Sequence, residues 1–399
     1  MFAADELAAV LAPFDRARPL PARAYVDPSV LDLERRRLFP RHFRAVAAVA
    51  DLDGPGSYLR TALGGRTIVL LTDRDGRVRA LRDGCIHRGA PVFPGDRGVV
   101  DELRCNYHGF RYDLTGRLVE APHLPIAITR EECSLDAATV ATAFGLWFVR
   151  EDASDDRVAA LAAGAPPPFG AVDGARLVVV HRARWRVGAN WKLVVENFQE
   201  SHHFGTVHPL LEARTPSARA ESLLGDGDWL GGRMPIAPAF ETVSHAGRID
   251  ERPFLVPAEA RGAVVDALLF PLTMLSLQPD YLLTYRLEPT AVDETFVEHE
   301  LLVDRDARGP FGDVVRLWAE VHDQDRRACE SQTRAIAGGA WRPRFYATCE
   351  DGVHAFDARI AAFYRAELAS DASARAAGAS TQVGTDSAAA SVGPFDRRV

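Results

Sequence analysis

The chain has 399 residues, 47% hydrophobic and 26% charged, which is the make-up of a globular protein with room for two domains. Its net charge of -8, with no basic face in the pattern, argues against a nucleic-acid partner. No apolar run approaches the roughly 20 residues that span a bilayer. Residues 1–18 carry Asp5 and Glu6 where a secretory signal would carry basic groups, so a cytoplasmic protein without a membrane anchor is expected.

Residues 1–38 are expected to form a leading segment that packs on a later domain. Residues 39–150 read as short strands with turn signals, a small all-β domain. Residues 67–71 and 78–81 flank Asp75-Gly76, and residues 110–114 and 118–119 flank Thr115-Gly116, both hairpin signals. In the loops between such strands lie Cys85-Ile86-His87 and Cys105-Asn106-Tyr107-His108, with 17 residues between the two units. Two thiolates and two imidazoles in this order fit a Rieske [2Fe–2S] cluster, in which one iron takes both sulfurs and the other both histidines. Structural zinc also accepts two Cys and two His, but its usual spacing pairs Cys with Cys and His with His. Arg88-Gly89 and Gly109-Phe110 flank the two pairs. Cys133, Cys329 and Cys349 are left over and are expected to be buried thiols.

Residues 151–175, with Pro166-Pro167-Pro168, read as a connection. Residues 176–369 read as a larger α+β domain: a strand over 177–187, a helix over 190–204, several strands between 223 and 303, and a helix-like stretch near 258–269. A helix over 311–337 follows, with Val314, Val315, Leu317, Trp318 and Val321 on an apolar stripe. A last helix spans 353–368. Residues 370–399, rich in Ala, Ser, Thr and Gly, read as a disordered tail.

The helix from Asn190 carries Glu200, His203 and His208. Two imidazoles and a carboxylate are the ligand types of a non-haem Fe(II) site with open positions. Residues five apart on a regular α-helix sit about 140° from each other. His203 and His208 therefore converge only if the helix widens, kinks or ends between them, which Gly205 would allow. Glu200 is a candidate third ligand on this reading, and His202 is a spare imidazole, read as a surface group. Phe240, Met234, Met274 and Tyr281 are candidates for the wall of a substrate pocket.

With both sites on the page, the chain resembles the catalytic α subunit of the Rieske non-haem iron oxygenases. The resemblance rests on Cys85-x-His87-Arg88-Gly89, Cys105-x₂-His108, Asn190-Trp191-Lys192-x₃-Glu196-Asn197-Phe198, and Glu200-x₂-His203-x₄-His208. It implies an N-terminal all-β Rieske domain and a C-terminal α+β domain with an antiparallel, helix-grip-like sheet. It implies that Cys85, His87, Cys105 and His108 hold the cluster, that His203 and His208 bind a mononuclear Fe(II), and that Asn197 lies close to it. It assigns Glu200 as a bridge to a Rieske histidine of the neighbouring subunit rather than a ligand. The third ligand is then Asp325, with Asp323 as runner-up. The implied activity is O₂-dependent hydroxylation, dihydroxylation or oxidative dealkylation of a small organic substrate. Electrons would come from NAD(P)H through a separate reductase, with or without a ferredoxin, and the assembly would be a homotrimer or a multiple of it. No nucleotide fingerprint appears in this chain. Relatives acting on choline, betaine and carnitine often read Glu-Cys-Tyr-His-Cys, whereas this chain has Glu200-Ser201-His202-His203-Phe204, so their substrates do not transfer directly. The competing class is an electron carrier or a binding protein without oxygenase chemistry.

Overall fold

The computed structural model describes residues 2–123, 129, 131–152, 158–225 and 227–382. It opens with α1 (Ala4–Val10), α2 (Arg23–Val26) and α3 (Pro28–Leu33), which runs on into a π-helical turn, Glu34–Leu38. Leu7, Val10, Tyr25, Leu31 and Phe39 belong to the core of the larger domain, so this segment packs there. Its anchor is a buried ion pair. Glu34 accepts from Lys192 Nζ at 2.7 Å and from Trp191 Nε1 at 2.8 Å, and Lys192, the only lysine in the chain, is fully buried. A buried charge of this kind persists only when paired and hydrogen-bonded.

The first β region comprises β1 (Arg44–Ala48), β2 (Ser57–Leu63), β3 (Arg66–Thr72), β4 (Val78–Arg82), β5 (Arg97–Val99), β6 (Leu103–Arg104), β7 (Arg111–Tyr112), β8 (Leu118–Glu120), β9 (Ala137–Ala143) and β10 (Leu146–Arg150). They form a sheet of order β1-β10-β9-β4-β3-β2-β5 and a smaller one of order β6-β7-β8. Both expected hairpins are present, and Gly76 and Gly116 take the positive φ their turns require.

After α4 (Val158–Ala163) the second sheet begins with β11 (Leu177–Val187). Then come α5 (Trp191–Phe198), α6 (Phe204–Val207), α7 (Pro209–Arg214), β12 (Glu221–Leu224), β13 (Trp229–Pro235), β14 (Ala263–Leu269), β15 (Thr273–Leu277), β16 (Tyr281–Ala291) and β17 (Glu294–Asp304). The order is β11-β17-β16-β15-β14-β13-β12, antiparallel throughout. The helices α8 (Gly312–Ala337) and α9 (Asp351–Gln382) complete the domain. The fold is therefore an all-β domain followed by a larger α+β domain. One face of the large sheet, through Leu268, Met274, Leu283 and Leu301, joins the core built with α5, α8 and α9. The other face, through Val265, Ala267, Leu275 and Leu302, packs on Phe43, Ala45, Phe144 and Phe148 of the first domain.

Three expectations change here. The stretch expected to be helical near 258–269 is a 3₁₀ turn, Ala258–Ala260, and then strand β14. That strand is covered on both faces, so its apolar run lacks the period-two alternation that would have marked it. The last helix continues to Gln382, into the segment read as a tail, and residues 383–399 lie outside the described residues. Cys133 and Cys329 are buried thiols as expected, but Cys349 is exposed. None of the described helices is long and apolar enough to cross a membrane.

Candidate metal centres and substrate cavity

Cys85 and Cys105 each start a loop of the same design. Gly89 N–H donates to Cys85 O at 2.7 Å and Gly109 N–H to Cys105 O at 3.1 Å, while the cysteine amides donate to Ala90 O and Phe110 O. Gly89 and Gly109 both have positive φ, at 72° and 74°, which a side chain would disfavour. The two loops meet so that the imidazoles of His87 and His108 lie with ring centroids 4.6 Å apart. His87 also stacks on Phe110 at 5.0 Å. Both thiols are buried and both histidines exposed. Tyr112 OH lies 3.2 Å from Cys85 Sγ, a hydrogen bond of the kind that tunes a cluster's potential. Buried sulfurs beneath two neighbouring, exposed imidazoles fit a cluster whose two irons differ.

In the second domain the convergence of His203 and His208 comes from broken helix. Asn190 caps α5 by accepting from Lys192 N–H at 3.1 Å. The helix ends at Phe198, six residues short of the span expected from sequence. A turn follows, in which Ser201 O accepts from Phe204 N–H at 3.1 Å. His203 then starts α6 and His208 closes it with φ -125° and ψ 64°. Pro209 gives the reason, because a residue before proline is pushed out of the helical region. Gly205 is not the break: it sits inside α6.

The two rings lie 5.0 Å apart, and donor atoms of His203, His208 and Asp325 fall within 4.8 Å of one another. Asp325 Oδ1 is 2.8 Å from His208 Nε2 and 3.5 Å from His203 Nε2. Each imidazole is held from behind: His203 Nδ1 meets Glu200 Oε1 at 2.7 Å, and His208 Nδ1 meets Gln324 Oε1 at 2.6 Å. Glu200 also accepts the His203 amide at 3.1 Å. Its carboxylate thus lies behind the ring, away from the convergence point. Burial opposes charge on His203, but its hydrogen bonds to Asp325 and Glu200 outweigh that and raise its pKa to about 9. Burial likewise acts to raise Asp325, and its contacts to both histidines bring it down to about 2. A carboxylate ionised well below neutral pH and two imidazoles with their Nε2 atoms turned to one point form a facial set suited to Fe(II).

Asp323 does not reach this point; it pairs with Arg326 at 2.7 Å and with Arg327. The spacing on α8 explains the difference. Asp325 falls four residues after Val321 and four before Cys329, both buried, so it shares their inward stripe. Asn197 and His202 line the adjoining cavity, and His202 is exposed as expected.

That cavity is about 720 Å³ in volume and is walled by aromatic residues, among them Trp185, Phe198, Tyr285 and Trp318. Met234 and Met274 belong to the wall as expected, but Phe240 and Tyr281 do not. Tyr281 is buried behind it, accepting from Trp318 Nε1 at 2.8 Å, and Phe240 packs under Arg214 at 4.9 Å. Sequence reasoning missed Gln324, Trp185, His322 and Asp266. Trp185 stacks on His322 at 4.6 Å, and His322 Nε2 meets Tyr285 OH at 3.0 Å. Burial lowers the His322 pKa to about 4, so this ring is neutral.

An all-β domain with paired Cys/His loops, joined to an antiparallel α+β domain with a two-histidine, one-aspartate site on a cavity, defines a Rieske-type oxygenase subunit. The Rieske [2Fe-2S] domain family matches residues 42–130, and the ring hydroxylating alpha subunit (catalytic domain) family matches residues 175–366. The chain belongs to this family of oxidoreductases; its cofactors are a Rieske cluster and mononuclear iron, with O₂ as cosubstrate. It is 28% identical to the glycine betaine monooxygenase oxygenase subunit of Pseudomonas aeruginosa, over 85% of this chain and 87% of that one. It is 27% identical to the biphenyl dioxygenase alpha subunit of Metapseudomonas furukawaii over 48% of this chain and 45% of the other. Among solved structures, a quaternary ammonium Rieske monooxygenase crystallised with L-carnitine superposes with a TM-score of 0.72 at 18% identity, covering 91% of this chain and 99% of the other. Naphthalene 1,2-dioxygenase from Rhodococcus superposes with a TM-score of 0.70 at 20% identity, covering 86% and 93%. These two share the fold.

Proposed function

We propose that this chain is the terminal oxygenase of a multicomponent cytoplasmic system that hydroxylates, dihydroxylates or oxidatively dealkylates a small organic substrate. Cys85, His87, Cys105 and His108 hold the [2Fe–2S] cluster, and His203, His208 and Asp325 hold Fe(II). A separate reductase supplies electrons from NAD(P)H. The observation that carries this reading is the three-donor set opening onto a cavity large enough for a substrate. A pure electron carrier has no use for either.

When bound, the iron supplies O₂ activation at its open positions. The chain's own residues do the rest. Glu200 and Gln324 accept from the Nδ1–H groups of His203 and His208, which fixes each tautomer with Nε2 toward the metal. The cavity wall orients the substrate and excludes bulk water. Asn197 faces the same space. Glu200 serves as the bridge by which electrons reach His203 from a neighbouring subunit's Rieske histidine. The exposure of His87 and His108 supports such a docking, which the proposed homotrimer would close head to tail.

The test is metal analysis joined to turnover. Purified protein should hold about three irons and two acid-labile sulfides per chain, with a Rieske-type EPR signal on reduction. With a reductase and NAD(P)H it should consume O₂ when offered its substrate from a panel of amines and aromatic compounds. Zinc without labile sulfide would sink the cluster, and two irons without substrate-dependent O₂ uptake would favour the carrier.

A further inference from the structure

Asp266 is a carboxyl that the iron site does not use. It lies in β14 between Gly232 of β13 and Ser276 of β15, and it lines the same cavity as the histidines. Its Oδ1 is buried and has no hydrogen-bond partner among the described residues. Ser276 hydrogen-bonds the carboxyl, and Ser276 Oγ accepts from Gln278 Nε2 at 2.9 Å. Gln278 also lines the cavity, and its Oε1 is likewise buried and unpartnered. The wall therefore contains two unsatisfied acceptors, one of them a carboxylate. Among the described residues no cation pairs with them: Arg326, the arginine of the wall, is engaged with Asp323 and Glu330.

A buried acceptor without a donor is costly to the fold, and a buried carboxylate more so. Burial holds the Asp266 pKa up at about 7. Asp266 as a residue is half-buried, and beside it a Cβ at the paired Gly232 would meet nothing closer than Glu221 O at 3.6 Å. Tyr285 ties this corner to the iron site: its phenol is raised by burial and by the charges of both Asp266 and Asp325. Trp185, Phe198 and Tyr285 line the same cavity, and aromatic rings of this kind attract cations.

The geometry points to Asp266, with Gln278, as the specificity-determining site for a protonated amine that carries at least one N–H. This rests on the cavity's being the substrate site of the oxygenase proposed above. It departs from glycine betaine, whose quaternary nitrogen has no N–H to donate.

Equilibrium binding to the oxidised holoenzyme, without reductant, tests it. The probes are N,N-dimethylbenzylammonium, benzyltrimethylammonium, 2-phenylethanol and benzoate, followed by calorimetry. The N–H cation should bind about 10- to 100-fold tighter than the neutral alcohol and benzoate, and about 10-fold tighter than the quaternary cation. Asp266→Asn should remove about 10- to 100-fold of the N–H cation's affinity and leave 2-phenylethanol within about threefold. Equal binding of cation and alcohol, or an unchanged cation affinity in Asp266→Asn, overturns the inference. So does a quaternary cation that binds as tightly as its N–H counterpart. If Asp266→Asn loses the cluster absorption that marks a folded chain, Gln278→Leu decides: about tenfold weaker binding of the N–H cation alone supports the site, and no change overturns it. Failure of cation binding beside reductase-driven turnover of another substrate overturns this inference alone. Cation binding without any turnover overturns the oxygenase reading instead.

Discussion

The two metal-binding regions solve opposite problems. In the first domain the imidazoles of His87 and His108 stand exposed at the tip of two short loops, with the cysteines buried beneath them. Each loop is set by its own glycine turn, and the two cysteines pack in a core shared with Tyr58, Val69, Leu71 and Leu81 of the larger sheet. In the second domain His208 is buried, and the histidines are locked from behind by Glu200 and by Gln324, which comes from a helix more than a hundred residues away in sequence. A group that hands electrons to another protein must be reachable. A group that activates O₂ must be enclosed and fixed in direction. The difference in burial therefore follows the difference in task.

Removing one donor from each region is the strongest way to break that comparison. Asp325→Ala should lose mononuclear iron and drop product formation more than about 100-fold, with the reduced EPR signal of the cluster intact. Cys85→Ser should do the reverse, abolishing the signal while His203, His208 and Asp325 still bind iron. A cluster signal lost in Asp325→Ala would mean the two regions are not independent. Activity lost in Asp323→Ala and kept in Asp325→Ala would move the ligand to Asp323.

Glu200→Ala probes the link between the regions. The cluster should still reduce and both metals should be present, but transfer to the iron should slow about 10- to 100-fold. Glu200→Gln, which keeps a hydrogen-bonding group, should slow it less. Single-turnover oxidation of pre-reduced Glu200→Ala at the wild-type rate would refute the bridge, and missing iron would make Glu200 a ligand.

A smaller effect is expected behind the other histidine. Gln324→Leu removes the partner of His208 Nδ1 and should weaken Fe(II) affinity about tenfold, measured by chelator competition. Affinity unchanged by that substitution would mean that packing alone holds the His208 ring.

The smallest effect is on stability and sharpens the contrast between the fixed iron site and the acidic wall. Asp266 has its folded pKa raised to about 7 by burial, above the ordinary 3.8. Between those values the folded state binds the proton and the unfolded state does not. Its contribution therefore falls as pH rises through this window and is lowest above pH 7. Asp266→Asn should melt a few degrees higher than wild type at pH 8 and about the same at pH 4. A gain that is equal at both pH values would remove the carboxyl's charge as the cause.

Local pattern alone determined much of this protein. The loops of Cys85–His87 and Cys105–His108 are short, self-contained units whose glycines announce their turns, so their pairing and their chemistry were legible from spacing. The α8 helix was equally legible from the apolar stripe Val314 to Val321, whereas Asp325 was set apart from Asp323 only by the family resemblance, and its inward position between Val321 and Cys329 came from the fold. Two strand pairs flanking Asp75-Gly76 and Thr115-Gly116 were legible for the same reason. Other features depended on contacts between distant segments. The length of α5 was misjudged because the run from Asn190 to Phe204 keeps helical character in sequence. Pro209 carried a signal for the break at His208, whereas Gly205 did not. Strand β14 looked helical because both of its faces are covered, one by the first domain and one by the helices. Gln324 and Asp266 could not be assigned from their neighbours in sequence. One becomes a histidine's partner, and the other a carboxyl in a cavity wall with one oxygen unsatisfied among the described residues, only after α8, β14 and the turn before α6 are packed together. Which donor meets which acceptor across a packed interior is a property of the assembled fold.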